Sequence, residues 1–131
     1  MNTDNTISLD ELVFLEPVSD LLSVYLLLRE QLLRMRPGME VRVHKTQISF
    51  RAPRPFAWVM LSSFKRFTGI PGKYLVLSLA SDKVLSHPAI MEQVPIRARL
   101  YTIHTLLRDI ETLDSSLLSL LRGSLNLRNP I

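Results

Sequence analysis

Residues 40–51, EVRVHKTQISFR, decide the fold, because here the hydrophobic residues change from helical spacing to every second position. Val41 and Val43 come first, Ile48 and Phe50 follow, and polar side chains stand between the members of each pair. Alternation of this kind is typical of strands that bury one face. The segment therefore predicts two half-buried strands joined by a short turn.

Three further strands are predicted after this pair. Residues 56–61, FAWVML, are apolar without alternation, which indicates a strand covered on both faces. Alternating leucines predict a strand over residues 75–79, and a last strand is predicted over residues 96–106. Between them, residues 86–91, SHPAIM, predict a short helix that ends before Pro95, since proline is accepted in a first helical turn.

Helices are predicted at both ends of the chain. Ser8 and Glu11 have the spacing of a capping box, which predicts a helix over residues 9–15. Leucines at three- and four-residue steps predict a longer helix over residues 19–34, and Asp114 is the predicted N-cap of a leucine-rich final helix. This order of elements favours an α+β fold, in which an antiparallel sheet of about five strands carries the N-terminal and C-terminal helices on one face.

The composition is typical of one cytoplasmic domain spanning residues 1–131, in which residues 1–7 are expected to be flexible. The chain is 47% hydrophobic, which suffices for a single core. It contains no cysteine, which excludes disulfides and thiolate metal sites, and its three histidines are too far apart in sequence to predict a metal centre. No apolar run approaches the roughly 20 residues that cross a bilayer, so no membrane segment is predicted. No cofactor is predicted either.

Charge is unevenly distributed along the chain. Residues 31–109 contain thirteen Lys and Arg against four Asp and Glu, whereas residues 1–30 contain six acids and one arginine. Such a basic segment attracts anions without identifying one. The predicted anion-binding residues stand at outward strand positions and in loops, and they are Arg42, Lys45, Arg51, Arg54, Lys65, Arg66, Arg97 and Arg99. We expect this surface to bind a polyanion or a protein partner, and no catalytic residue is predicted.

Other interpretations of these features stay open. The basic residues are also consistent with a solvated surface that keeps the protein soluble. A small-molecule binder or small enzyme is the alternative function, with His44, Tyr101 and His104 in one pocket, because histidine titrates near neutral pH. Leucines surround more than one face of the helix predicted over residues 19–34, which favours a homodimer through that helix.

Much of the chain resembles a known bacterial domain family. The resemblance rests on a scattered pattern of residues: Lys45-Thr-Gln-Ile-Ser-Phe50, Phe56-Ala-Trp-Val59, Leu75-Val-Leu-Ser-Leu79, Ser86-His-Pro88, Pro95, Arg97, His104 and Leu113-Asp114. Over residues 40–125 this pattern is similar to a small domain of unknown function that is often labelled "predicted transport protein". The resemblance implies an α+β unit with an antiparallel sheet, and it implies no catalytic residues.

Overall fold

The computed structural model describes residues 6–131 and begins with two helices joined by a 3₁₀ segment. Helix α1 spans Leu9–Leu15, the 3₁₀ segment spans Glu16–Leu21 and helix α2 spans Leu22–Leu33. The predicted capping box is confirmed: the Ser8 hydroxyl accepts from the Glu11 amide, and the Glu11 carboxylate accepts from the Ser8 amide. The prediction that residues 1–7 are flexible concerns mainly residues 1–5, which lie outside the described residues.

Six antiparallel strands form one sheet, and a third helix follows them. In chain order the strands are β1 (Glu40–Val43), β2 (Ile48–Arg51), β3 (Pro55–Leu61), β4 (Leu75–Ser81), β5 (Ile90–Arg97) and β6 (Leu100–Leu107). Across the sheet their order is β1-β2-β3-β4-β6-β5. Helix α3 spans Ser115–Arg128, and Asp114 caps it by accepting from the Leu117 amide at 2.8 Å. The predicted α+β fold is confirmed, with one strand more than expected.

The extra strand begins within the helix predicted over residues 86–91, whose first four residues form a loop and a turn. Residues 90–97 form the edge strand β5, which pairs with β6 from Ile90 opposite Thr105 to Arg97 opposite Leu100. The strand predicted over residues 96–106 corresponds to β6, which begins at Leu100, while Ile96 and Arg97 are the last residues of β5. The helix prediction is wrong, because pairing with a neighbouring strand outweighs a short helix-start signal. The prediction of a last strand is correct except for where that strand begins. The proline in β5 fits an edge strand, where one side of the ladder needs no amide donor.

One face of the sheet and the three helices enclose the main hydrophobic core. The helices contribute fully buried side chains that include Tyr25, Leu28, Leu32, Leu117 and Leu121. The sheet contributes Ile48, Phe50, Val59, Leu77 and Ile103, which are also fully buried. The prediction that the N-terminal and C-terminal helices pack on one face is confirmed.

The opposite face of the sheet is partly covered by residues 62–74, which we call the covering loop. The rings of Phe67 and Tyr74 stack with centroids 5.7 Å apart and pack with Val76 into a second, smaller core. Strand β4, which contributes to both cores, is buried along its whole length. Trp58 on β3 is half-buried. The sequence predicts that β3 is covered on both faces. In the structure it is β4 that is covered on both faces.

A buried polar cluster ties α1 to α2. The Glu11 carboxylate accepts hydrogen bonds from the Tyr25 hydroxyl and from Arg29 Nε, the second at 2.8 Å. Burial raises the pKa of Glu11, but the hydrogen bonds from Arg29, Tyr25 and Ser8 outweigh it and hold this pKa below its ordinary value of 4.5. Burial and the neighbouring carboxylate raise the pKa of Tyr25. The cluster is thus a charged pair held inside the fold.

Candidate anion-binding site

Three of the predicted anion-binding residues lie around one depression in the surface. Its lining residues are Arg54, Arg97, Ala98, Arg99, Leu100, Leu127 and Arg128. Its volume is about 210 Å³. Within residues 6–131, none of its four guanidinium groups forms an ion pair with a carboxylate. We call this feature the arginine depression, after Arg54, Arg97, Arg99 and Arg128.

The buried Asn129 holds the backbone of Arg54 at the depression. The Asn129 side-chain amide accepts from the Arg54 N–H at 2.8 Å and donates to the Arg54 carbonyl at 3.0 Å. Arg36 in turn donates to the Asn129 carbonyl at 2.7 Å, at the end of α3. Because Asn129 satisfies both backbone polar groups of Arg54, the position of this residue is fixed while its side chain stays exposed.

Two further arginines come from the end of the β5–β6 hairpin. Arg97 pairs with Leu100 at the last position of the ladder, and Arg99 stands in the turn with a φ of 62°. This left-handed conformation costs a residue with a Cβ about 1–2 kcal/mol, whereas glycine adopts it freely. The turn itself therefore does not explain an arginine at position 99.

Arg128 is not predicted from the sequence as part of the site. Its Nε donates to the Pro55 carbonyl at 3.3 Å, which joins the last turn of α3 to the start of β3. Helix α3 packs across β3 and β4, and this packing brings Arg128 beside residues that are far from it in the chain. No local pattern near residue 128 signals this position.

The family comparison covers almost the whole of this structure. Residues 11–127 match the family model of the Domain of unknown function (DUF5655). The chain belongs to this family. The DUF5655 match begins in α1 and ends in α3, so it extends the resemblance seen over residues 40–125 to the N-terminal helices. It shows a domain of unknown function, and it supports neither the transport label nor a bacterial source for this chain. No curated protein and no solved structure matches the chain.

Other predicted cations of the DUF5655 region lie outside the arginine depression. Arg42 on β1 pairs with Glu40 at 3.3 Å. Arg51 at the end of β2 donates from Nε to the Pro53 carbonyl at 3.0 Å. Lys45 is exposed in the turn between β1 and β2. The structure therefore separates these three residues from Arg54, Arg97 and Arg99.

Lys65 and Arg66 hold the covering loop in place. Lys65 Nζ lies 2.5 Å from Glu92 Oε1 on β5. Arg66 donates to two carbonyls within the loop, at 2.9 and 3.2 Å, and its guanidinium carbon lies 5.4 Å from the centre of the Tyr74 ring. Both cations thus have partners within the chain, whereas the side chains of Arg54, Arg97 and Arg99 have none within residues 6–131.

The structure does not bring His44, Tyr101 and His104 into one pocket. His44 Nε2 lies 3.0 Å from Ser49 Oγ on β2, whereas His104 Nδ1 lies 2.7 Å from Ser78 Oγ on β4. Strands β3 and β4 separate β2 from the strand that carries His104. Tyr101 packs against the main core, on the other face of β6, because it is an odd number of residues from His104.

A second polar cluster surrounds His104, and only the strand register shows it. Ser78, His104 and Glu92 are cross-strand neighbours on β4, β6 and β5. His104 Nε2 lies 3.9 Å from Glu92 Oε1, which is beyond hydrogen-bond distance, and Ser78 is 2% exposed. Burial and the charge of Lys65 lower the pKa of His104, while the hydrogen bond from Lys65 lowers the pKa of Glu92. The cluster therefore anchors the covering loop and leaves the Ser78 hydroxyl closed to solvent.

Membrane and metal features are absent from the part of the chain that the structure describes. None of the helices within residues 6–131 combines the length and the apolar character that a membrane crossing requires. The same residues contain no group of three His, Asp or Glu side chains that could hold a metal ion.

Proposed function

We propose that this domain binds a ligand through a compact anionic group, a phosphate or a carboxylate, held in the arginine depression. The supporting observation is that four arginines line a depression of about 210 Å³ and that none of them is paired with a carboxylate of residues 6–131. A guanidinium donates in a planar fork that matches the oxygens of carboxylate and phosphate groups. A bound anion would supply the negatively charged partner that these arginines do not have within residues 6–131.

A compact anion fits this distribution of charge better than an extended polyanion does. A single nucleic acid strand presents its phosphates along a path and needs cations spread over a groove. Among the predicted cations, Arg54, Arg97 and Arg99 share one depression, whereas Lys65 and Arg66 are held by partners in the chain. Four of the predicted cations have no side-chain partner within residues 6–131. Three of them, Arg54, Arg97 and Arg99, share the depression, and the fourth, Lys45, is exposed elsewhere.

Salt should weaken the proposed binding. The side chains of Arg97 and Arg99 are exposed, so counterions from solution compete with the ligand. Screening acts over about 10 Å at 0.1 M salt, which is comparable to the size of the site. The affinity should therefore be higher at low salt than at physiological salt.

Isothermal titration calorimetry with pyrophosphate tests the proposal. Changing Arg97→Glu and Arg99→Glu together replaces two cations of the depression by anions. We expect the affinity to fall by about tenfold or more, which corresponds to about 1.4 kcal/mol. The matched control is Arg42→Glu with Lys45→Glu, which changes the net charge equally outside the depression and should bind as the wild type does. Circular dichroism checks that both variants fold.

Two results would contradict the compact site. If the wild type binds no pyrophosphate at low salt, the proposed function is wrong. If the two double variants lose affinity equally, net charge rather than the depression controls binding. A parallel anisotropy titration with a labelled single-stranded oligonucleotide addresses the polyanion surface, because tight binding that both variants weaken equally would favour that surface instead.

The homodimer through residues 19–34 stays a prediction. Leu28 and Leu32 of α2 are fully buried in the main core, and Leu26 is 40% exposed. Much of the apolar surface that favours a dimer is therefore covered within one chain. Light scattering at micromolar concentration should return a mass near twice the 15.0 kDa monomer if the dimer forms.

A further inference from the structure

An open groove lies beside the arginine depression along helix α3. Its volume is about 460 Å³, and it lies between α3 and the segment that follows β4. Leu85, Leu120 and Leu127 supply apolar walls, while Asp82 and Lys83 stand at exposed positions along it. Leu127 also lines the arginine depression, so the two cavities are adjacent.

Gly123 lines this groove from within α3. Glycine in a helix interior costs roughly 1 kcal/mol relative to alanine. A Cβ built at Gly123 meets no atom within 4 Å outside the neighbouring helix backbone, so no packing contact requires a glycine there. The missing side chain instead leaves the groove open along the helix.

The walls of the groove are held by hydrogen bonds. On one side, the Ser81 hydroxyl donates to the Lys83 carbonyl at 2.6 Å and accepts from the Lys83 amide at 3.1 Å. On the other side, the Ser124 hydroxyl donates to the Phe56 carbonyl at 2.6 Å and accepts from the Ala80 amide at 2.8 Å. Ser124 thereby joins α3 to β3 and β4. The groove is therefore formed before any ligand binds.

We infer that the groove holds the apolar body of the ligand whose anionic group binds in the arginine depression, an inference that rests on the proposed function. The ligand class is an amphiphilic anion, with a carboxylate, sulfonate or phosphate attached to an aromatic or aliphatic body. Small-molecule sites are typically about 300–1,000 Å³, mostly apolar, with a few polar groups that set orientation. The leucine walls supply the apolar contact here, and the arginines set the orientation.

Two probes and three variants test this inference. Anilinonaphthalene sulfonate joins an aromatic body to one sulfonate, and octanoate is its aliphatic counterpart. Gly123→Leu fills the groove without changing a charge. It should lower the affinity for the probe by about tenfold or more, which corresponds to about 1.4 kcal/mol. The double change Arg97→Glu and Arg99→Glu should also weaken it. Ser116→Leu adds the same side chain to an exposed position of α3 outside the groove and should leave affinity unchanged.

Pyrophosphate separates failure of this inference from failure of the proposed function. It should bind the Gly123→Leu protein as it binds the wild type, because the depression is intact. If pyrophosphate binding needs the arginines but Gly123→Leu weakens neither probe, the groove inference is overturned alone. Probe binding that does not depend on Arg97 and Arg99 also overturns it. The inference is supported if Gly123→Leu and the double arginine change both lower the affinity for one of the probes. Whether that probe is anilinonaphthalene sulfonate or octanoate then shows whether the ligand body is aromatic or aliphatic.

A smaller substitution guards against misfolding of the leucine variant. Gly123→Ala introduces only a Cβ, for which the structure has free space, and it improves helix propensity. The alanine variant should therefore melt at a higher temperature than the wild type while binding the probe more weakly. Equal or tighter probe binding by the alanine variant would contradict the inference.

Discussion

Arg29 and the arginine depression show the same side chain in two opposite environments. Arg29 is buried between α1 and α2, where it donates to the Glu11 carboxylate, whereas Arg97 and Arg99 are exposed and have no carboxylate partner within residues 6–131. In the first region the chain supplies both charges, and the pair joins two helices. In the second region the charged side chains that line the depression are all positive. A cation therefore indicates a binding site for an anion only where the fold leaves it without a partner.

The cations of the covering loop resemble Arg29, because they too have partners within the chain. From the sequence alone, this loop looks as basic as the residues of the depression. Lys65 is paired with Glu92, and Arg66 is bound to loop carbonyls. Substitutions in the covering loop or in the buried pair of Arg29 and Glu11 should reduce stability. Substitutions in the depression should reduce binding with little loss of stability, or even with a gain.

The largest expected effect is on the buried pair. Glu11→Ala leaves Arg29 buried without its carboxylate, which should lower the free energy of unfolding by about 3–5 kcal/mol. Urea denaturation measures this change. The control is Glu30→Ala, because Glu30 forms an exposed pair with Arg34 at 3.4 Å that is worth only about 0.3–0.5 kcal/mol. Similar losses in both variants would remove the contrast between buried and exposed pairs.

Tyr74→Phe tests whether the covering loop is structural. The Tyr74 hydroxyl accepts from the buried Phe67 amide at 2.7 Å, so its removal leaves that amide without an acceptor. We expect the free energy of unfolding to fall by about 1–3 kcal/mol. Pyrophosphate affinity, measured by calorimetry, should not change. A variant with normal stability but weak pyrophosphate binding would place the loop with the binding region.

Arg99→Gly should separate stability from binding in the depression. Glycine relieves the left-handed backbone at position 99, so the free energy of unfolding should rise by about 1 kcal/mol. The same change removes one cation, so pyrophosphate affinity should fall. Thermal melting and calorimetry on the same preparation give both values. Loss of stability in this variant would show that Arg99 has a structural role.

The smallest effect is expected on acidification, which neutralises the Glu11 carboxylate without removing its side chain. The pKa of Glu11 in the folded chain lies below 4.5, so its contribution to stability is complete above pH 4.5 and is lost as the pH falls through the folded value. Stability should therefore fall more steeply below pH 4.5 in the wild type than in Glu11→Gln. Glu92 and Asp114, whose pKa values are also lowered, contribute equally to both proteins. Parallel curves would contradict the prediction.

Local patterns in the sequence determined most elements of the fold. The capping box at Ser8 and the N-cap at Asp114 predicted where α1 and α3 begin, and alternation predicted β1, β2 and β4. These signals depend on residues a few positions apart, so they are visible in the chain itself. Strand β5 was missed because it is held by pairing with β6, which no short pattern near residues 86–91 reveals.

Only the tertiary structure decided which cations stay without a partner. The sequence marks Lys65 and Arg97 alike as basic residues near aromatic or apolar neighbours. Folding brings Glu92 to Lys65, while it gathers Arg54, Arg97 and Arg99 around one depression and adds Arg128 from the end of α3. Charge is a property of each residue and can be read along the chain. Ion pairing depends on contacts between elements far apart in sequence, so it becomes visible only when those elements have packed.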